Sequence, residues 1–182
     1  MKLQNALTAT VFALASLTLA DCAEGPGLEG PAAVVTPPSD SGAVFKPEAF
    51  AWSQAKGTGS LQGAVTFRAG PTRYGCQGGD VLLTPETGWS RRRMIILYGS
   101  ATAASVPASI VRARIPSAPT GDYARFVRRT ACDVDNHFSF SGLPDGAWYV
   151  ITVAKSTDGQ GEPMALTRRV ETHGGPKTVT LN

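Results

Sequence analysis

Hydrophobic and polar side chains alternate with a period of two over much of the C-terminal two thirds of the chain. Leu61, Gly63, Val65 and Phe67 alternate with polar or small neighbours, a pattern typical of a strand with one buried face. Further short apolar or alternating runs follow, separated by stretches that contain Gly, Pro, Asn or Asp. These runs predict strands at 81–84, 94–98, 110–115, 123–132, 147–154, 164–170 and 177–181.

The clearest strand signal lies in residues 133–150, where two alternating runs flank a turn that contains Gly and Pro. Phe138 and Phe140 alternate with serines, and Trp148 and Val150 resume the alternation after the turn. This pattern predicts a β-hairpin. Strands at this spacing, with no convincing amphipathic helix between them, predict an all-β fold, an antiparallel sandwich of about seven strands.

The N-terminal part of the chain has a different composition. Lys2 precedes an apolar run over residues 6–20, which is too short to cross a bilayer and is followed by polar, Pro-rich sequence. This pattern predicts a secretory signal peptide over residues 1–21. Residues 22–59 are rich in Pro, Gly, Ser and Ala and predict a tether, although three aromatic residues near its end favour packing of that end on the domain. Residues 60–182 provide enough chain for one domain.

The end of the apolar run resembles the lipobox of bacterial lipoproteins. It reads Leu19-Ala20-Asp21-Cys22, and in lipoproteins the Cys is lipidated and becomes N-terminal after cleavage. The resemblance implies a lipid anchor at Cys22 and an exported protein of the bacterial cell envelope, facing the periplasm or the cell surface. Asp21 departs from the lipobox pattern, which has Gly, Ala or Ser there. The alternative is cleavage at the small-x-small sequence that ends at Ala20.

Three cysteines are an odd number for an exported chain. If Cys22 carries lipid, Cys76 and Cys132 remain. In an oxidising compartment we expect them to form a disulfide, which the loop-entropy estimate values at roughly 4 kcal/mol. The alternative is a metal or thiol site, but neither cysteine belongs to a CxxC motif. The sequence therefore predicts a structural disulfide and no metal site.

The domain resembles the carboxypeptidase regulatory-like family, which has a transthyretin-like, or prealbumin-like, Greek-key β-sandwich. The resemblance rests on FSFSGLPDGAWYV at 138–150, with weaker support from GAV at 63–65, DVLL at 80–83 and VTL at 179–181. Asn136 stands where the family usually has Gly, a substitution that the left-handed turn conformation allows. The resemblance implies a non-enzymatic module that assists a partner protein or binds proteins or sugars. It does not explain residues 88–121, which we interpret as an irregular insertion.

Arginine is concentrated in this insertion, although the formal net charge of the whole chain is only +3. Arg91, Arg92 and Arg93 are consecutive and follow Trp89 closely, so these four residues form the candidate binding surface. In an exported, membrane-tethered protein, the natural partners of the arginines are lipid phosphates or an anionic glycan such as a glycolipid or an acidic cell-wall polymer. The alternative is that the arginines lie on the solvated outer faces of strands. No row of aromatic side chains for base stacking accompanies them, so we expect no nucleic-acid partner.

No catalytic constellation emerges from the sequence. The two histidines, His137 and His173, lack the spacing of metal ligands. Ser53 and Lys56 match S-x-x-K without the companion motifs that this chemistry requires. Asp133 is predicted to begin an Asx-type turn rather than a calcium loop. We therefore expect no enzymatic activity, no cofactor and no metal.

The predicted function is that of a non-enzymatic exported lipoprotein. Its β-sandwich would act as a structural or protein-interaction module at the cell envelope, with an unidentified envelope protein as partner. The alternative is a module that binds carbohydrate, glycolipid or cell-wall polymer through the arginine cluster.

Overall fold

Residues 42–182 are described by a computed structural model. The predicted signal peptide, the lipobox-like sequence that ends at Cys22 and most of the predicted tether lie outside these residues. None of the helices in the described part has the length and hydrophobicity needed to span a bilayer.

The described residues form strands with two short helices between them. In chain order they are a 3-10 helix at Pro47–Gln54, β1 (Gly59–Val65), β2 (Arg68–Ala69), β3 (Thr72–Gly75), β4 (Asp80–Pro85), α1 (Gly88–Tyr98), β5 (Ala103–Pro107), α2 (Ala108–Arg114), two 3-10 turns at Ile115–Ser117 and Ala124–Phe126, β6 (Arg128–Ala131), β7 (His137–Leu143), β8 (Gly146–Ser156), β9 (Met164–Thr172) and β10 (Pro176–Leu181).

Two sheets form a sandwich, which confirms the predicted all-β class. In the three-stranded sheet, β1 lies between β10, with which it runs parallel, and β7, with which it runs antiparallel. In the larger sheet, β8 pairs with β4 and β9, while β6 extends the sheet beyond β4 and β5 extends it beyond β9. Both sheets contribute fully buried side chains to one core, among them Leu61, Leu143 and Leu181 from the first and Leu83 and Trp148 from the second.

The predicted hairpin at 133–150 is wrong. Its two strands exist, but β7 pairs with β1 in one sheet and β8 pairs with β4 and β9 in the other. The turn between them therefore carries the chain from one sheet to the other. Gly146 makes this turn possible, because its φ of 152° is unfavourable for other residues and an added Cβ would lie 2.3 Å from the Trp52 ring.

Two further predicted strands are helices. α1 contains residues 94–98, and α2 and the turn after it contain residues 110–115. α1 begins at a capping box, in which the Thr87 side chain accepts a hydrogen bond from the Ser90 backbone and the Ser90 side chain accepts one from the Thr87 backbone. It ends at Gly99, whose φ is 77°. The predicted strand at 123–132 is confirmed only over Arg128–Ala131, after a 3-10 turn.

The aromatic residues near the end of the predicted tether pack on the domain. Phe50, in the 3-10 helix, is fully buried, and its ring centroid lies 5.1 Å from that of Phe126. Trp52 packs against Trp148 of the main core, with ring centroids 4.9 Å apart. Arg128 of β6 donates a hydrogen bond of 3.0 Å to the Ser53 carbonyl. This segment is thus part of the folded body.

The predicted disulfide between Cys76 and Cys132 is confirmed, with a Cα–Cα distance of 5.7 Å. Asn136 adopts the left-handed conformation, with a φ of 65°, and its Oδ1 accepts a hydrogen bond of 2.8 Å from the Cys76 backbone. The Asx-type turn is also confirmed, because Asp133 Oδ1 accepts hydrogen bonds from the backbone N–H groups of Asp135 and His137. The disulfide and this turn together join the β3–β4 loop to the β6–β7 loop.

Candidate functional site

Trp89, a predicted binding residue, is buried in a second apolar cluster. Only 2% of its surface is exposed, and its ring packs against Phe45, at a centroid distance of 5.3 Å, and Tyr123, at 4.9 Å. Phe50 and Phe126 complete the cluster. The indole therefore packs the insertion against the N-terminal segment and does not present its face to solvent.

The three consecutive arginines have different surroundings. Arg91 forms an ion pair of 2.9 Å with Glu86. Arg93 lies over the rings of Trp89 and Tyr123 and donates a hydrogen bond of 2.8 Å to the Pro119 carbonyl. Arg92 is exposed beside a shallow groove. The structure therefore does not bring Trp89 and the three arginines together as one binding surface.

Glu86 is the partner of Arg91 in this ion pair. Its carboxylate, which is largely buried, accepts hydrogen bonds from Arg91, from the Tyr149 hydroxyl at 2.7 Å and from Arg169 Nε at 2.6 Å. Burial raises the pKa of Tyr149, and the hydrogen bond that its hydroxyl donates to Glu86 raises it further. This network joins the first turn of α1 to β8 and β9 and leaves the carboxylate well paired.

A groove of about 570 Å³ lies on the outer face of the three-stranded sheet. The period of two in β1 directs Leu61, Gly63 and Val65 into the core and Gln62 and Ala64 outward. Strand register then sets the neighbours of these two residues. Gln62 lies between Thr178 of β10 and Ser139 of β7, and Ala64 lies between Thr180 and His137. We call this site the polar groove.

One wall of the polar groove comes from the other sheet and the turn after it, through Thr130, Ala131 and Asp133. Asp133 Oδ1 is engaged in the Asx-type turn, and Oδ2 lies 3.9 Å from His137 Nδ1. Asp133 is the one carboxylate among the lining residues, and neither Lys nor Arg is among them. Residues 42–182 contain no cluster of three or more His, Cys, Asp or Glu side chains that could hold a metal ion.

The polar groove offers hydrogen bonds to a neutral polar ligand. The threonine and serine hydroxyls can donate and accept, and the Gln62 amide can do both. Ala64 has a short side chain and lies between the longer side chains of Thr180 and His137, so the floor of the groove is deepest at Ala64. The sequence did not predict this site, because its residues come from three strands that are far apart in the chain. Ser139, Thr178 and Thr180 are small polar residues that alternate with buried ones, whereas β1 contributes Gln62 and Ala64.

Comparison with known proteins identifies a solved structure with a similar fold. No family model matches the chain. No curated protein matches it either. Among solved structures, it is similar to the crystal structure of a proposed carbohydrate-binding protein from Pseudomonas aeruginosa, with 23% sequence identity and a TM-score of 0.56. The match covers 75% of this chain and 96% of that one. This likeness shows a shared fold.

Proposed function

We propose that this protein is a non-enzymatic binding module of the bacterial cell envelope and that its polar groove binds a neutral carbohydrate. The observation that carries the proposal is the groove of about 570 Å³, whose floor is built from outward-facing hydroxyl, amide and methyl groups of three paired strands. The volume is in the range of ordinary small-molecule sites.

The charge of the polar groove favours a neutral ligand. Arg91, Arg92 and Arg93, the predicted binding residues for an anionic glycan, do not line the groove. Carbohydrate hydroxyls both donate and accept hydrogen bonds, which matches the Ser, Thr and Gln side chains on the floor. The carbohydrate-binding description of the structural neighbour agrees with this proposal.

The polar groove should bind weakly. Its lining residues include Phe138, but that ring is buried beneath the floor and cannot stack on a sugar. Hydrogen bonds exchanged with water contribute about 1 kcal/mol each, so a few of them give a Kd on the order of millimolar. Weak single-site binding is sufficient for a protein that is held close to a polymer with many repeats.

Export and anchoring complete the proposal. The disulfide is of the kind found in exported proteins, and the lipobox-like sequence at Cys22 supplies the anchor. The resemblance to the carboxypeptidase regulatory-like family also supports a module without catalytic activity. The alternative is that the anchored β-sandwich binds no glycan and serves as a structural or protein-interaction module.

A matched pair of variants tests the polar groove. Ser139 and Ser141 both point outward from β7, but only Ser139 lines the groove. Ser139→Arg places a long side chain over the floor, whereas Ser141→Arg adds the same side chain outside it. Calorimetric titration with neutral tetrasaccharides of glucose, mannose and N-acetylglucosamine should show binding by the parent and by Ser141→Arg. Ser139→Arg should lose at least tenfold in affinity, and equal affinity in both variants would refute the site.

A further inference from the structure

The insertion at residues 88–121 has an unusual charge. It contains Arg91, Arg92, Arg93, Arg112 and Arg114 and neither Asp nor Glu. The rest of the chain contains twelve basic and fourteen acidic residues, so its net charge is −2. The positive charge of the protein is therefore concentrated in one segment.

The same segment exposes large aliphatic side chains. Ile95 in α1 is 49% exposed, Ile110 in α2 is 42% exposed and Ile115, directly after α2, is 48% exposed. Ile95 follows Arg91 and Arg92 by four and three residues, so these three side chains lie on one face of α1. Isoleucine beside arginine on the solvent side of a helix is unusual for a surface that faces only water.

α1 and α2 form one continuous surface. Arg114 of α2 donates a hydrogen bond of 3.1 Å to the Leu97 carbonyl in α1. Ile110 lies one turn before Arg114, on the side of α2 that approaches α1. Arg92 and Ile96 of α1 share a groove of about 570 Å³ with residues 117–120, which follow Ile115. We call the exposed surface of Arg91, Arg92, Ile95, Ile110 and Ile115 the helical face.

The chain from the predicted anchor reaches the described part on this side. Gly42 packs against the start of α1, since an added Cβ would lie 2.1 Å from the Gly88 carbonyl oxygen. Val44 is exposed and lines the same groove as Arg92 and Ile96. An anchor at Cys22 is twenty residues before Gly42 in the sequence, so it connects to the domain beside the helical face.

We propose that the helical face docks on an anionic lipid bilayer. The isoleucines enter the boundary between headgroups and acyl chains, and the arginines bind lipid phosphates, which they can contact with two hydrogen bonds each. Two carboxylates from outside the insertion adjoin it: Glu86 pairs with Arg91, and Glu162, which accepts a hydrogen bond from the Ser109 backbone, interacts with Arg112 on the opposite side of α2 from Ile110. The face remains positive, and an anionic surface attracts it.

The inference rests on the proposed envelope location but not on carbohydrate binding. Docking would hold the domain in one orientation at the membrane, in addition to the attachment that a single anchor provides.

The test uses the full chain on vesicles, with an environment-sensitive fluorophore at residue 95 through Ile95→Cys. The control carries the label at residue 153 through Val153→Cys, because Val153 is 45% exposed and lies in β8, outside the insertion. Vesicles are made of phosphatidylcholine alone or with about one third phosphatidylglycerol. Flotation measures attachment of the chain, and protection from an aqueous quencher measures burial of the label.

We expect the label at residue 95 to be protected on anionic vesicles and not on neutral ones, and the label at residue 153 to be quenched on both. Arg92→Gln should lower the ratio of docked to undocked protein about fivefold, since an arginine near an anionic surface contributes about 1 kcal/mol. Arg68→Gln removes the same charge from an exposed residue of β2 and should leave the ratio unchanged.

Three outcomes would overturn the proposal. If the chain floats with anionic vesicles while the label at residue 95 stays quenched, docking is refuted and the anchor is retained. If the label is protected equally on neutral vesicles, the arginines have no role. If the chain floats with neither kind of vesicle, both docking and the proposed anchor are refuted, whereas carbohydrate binding is unaffected.

Discussion

Truncation of Phe50 tests whether the end of the predicted tether belongs to the folded domain. Phe50 is fully buried in the 3-10 helix Pro47–Gln54, and its ring lies 5.1 Å from Phe126, 5.3 Å from Phe45 and 6.0 Å from Trp89 between centroids. Phe50→Ala removes a ring from the centre of this cluster. The neighbouring rings come from the N-terminal segment, from α1 and from the turn before β6, so they cannot close the space by a simple shift.

The free energy of unfolding lost by Phe50→Ala follows from the full burial of the Phe50 ring. Replacing a fully buried Phe by Ala costs about 3–5 kcal/mol, since hydrophobic transfer and the residual cavity both contribute. We take about 4 kcal/mol for Phe50, because its ring has aromatic neighbours on several sides. For a domain of about 140 residues, this loss lowers Tm by roughly 12–16 °C.

Urea unfolding followed by tryptophan fluorescence measures the loss directly. Val44→Ala is the matched control, because Val44 lies in the same segment but is 68% exposed, and its truncation should cost less than about 0.5 kcal/mol. A loss below about 1 kcal/mol for Phe50→Ala, or equal losses in the two variants, would contradict the packing of this segment on the domain.

Two other measurements test stabilising features of the sandwich. Cys76→Ser with Cys132→Ser removes a crosslink between residues that are 56 apart in the sequence, and it should lower the free energy of unfolding by about 4 kcal/mol. If reductant leaves the unfolding midpoint of the parent protein unchanged, this prediction is contradicted. Because the pKa of Tyr149 is raised in the folded state, the stability that it contributes is fully present below the unfolded-state value of about 10 and is lost as pH rises above it. Tyr149→Phe should therefore make stability fall less steeply above pH 10, and an unchanged slope in alkaline urea titrations would refute the assignment.

The strands of the sandwich were predictable where their alternation was regular. β1 and β7 have a clear buried face, and the apolar residues of β8 and β9 correctly indicate that both strands contribute to the core. Alternation does not specify the partner of a strand, however. The hairpin prediction failed because two strands that face the same core across a sandwich have the same pattern as two strands that are paired.

The helices were missed for a different reason. Residues 94–98 are all apolar, and a short apolar run has no measurable period. The signals that determine the helix lie outside this run, in the capping box at Thr87 and Ser90 and in the left-handed Gly99. Thr followed by Ser at this spacing is a weaker sequence signal than the usual capping box with Glu or Gln.

The candidate site was hard to predict because it depends on the directions of side chains on a helix and on the pairing of strands. Consecutive residues of an α-helix point about 100° apart, so Trp89, Arg91 and Arg93 face different surroundings although they are close in sequence. In the polar groove, by contrast, residues that are far apart in the sequence are neighbours in the fold. Gln62 and Thr178 are adjacent only because β10 pairs with β1, and a sequence alone does not reveal this pairing.

Carbohydrate binding at the polar groove can be tested by titrating isotope-labelled protein with the neutral tetrasaccharides and following the amide chemical shifts. We expect the shift changes to concentrate in the strands that form the polar groove, at residues 62–64, 137–139 and 178–180, with saturation in the millimolar range. Shifts that concentrate at residues 91–93 would contradict it, and so would unchanged spectra with every sugar of the panel.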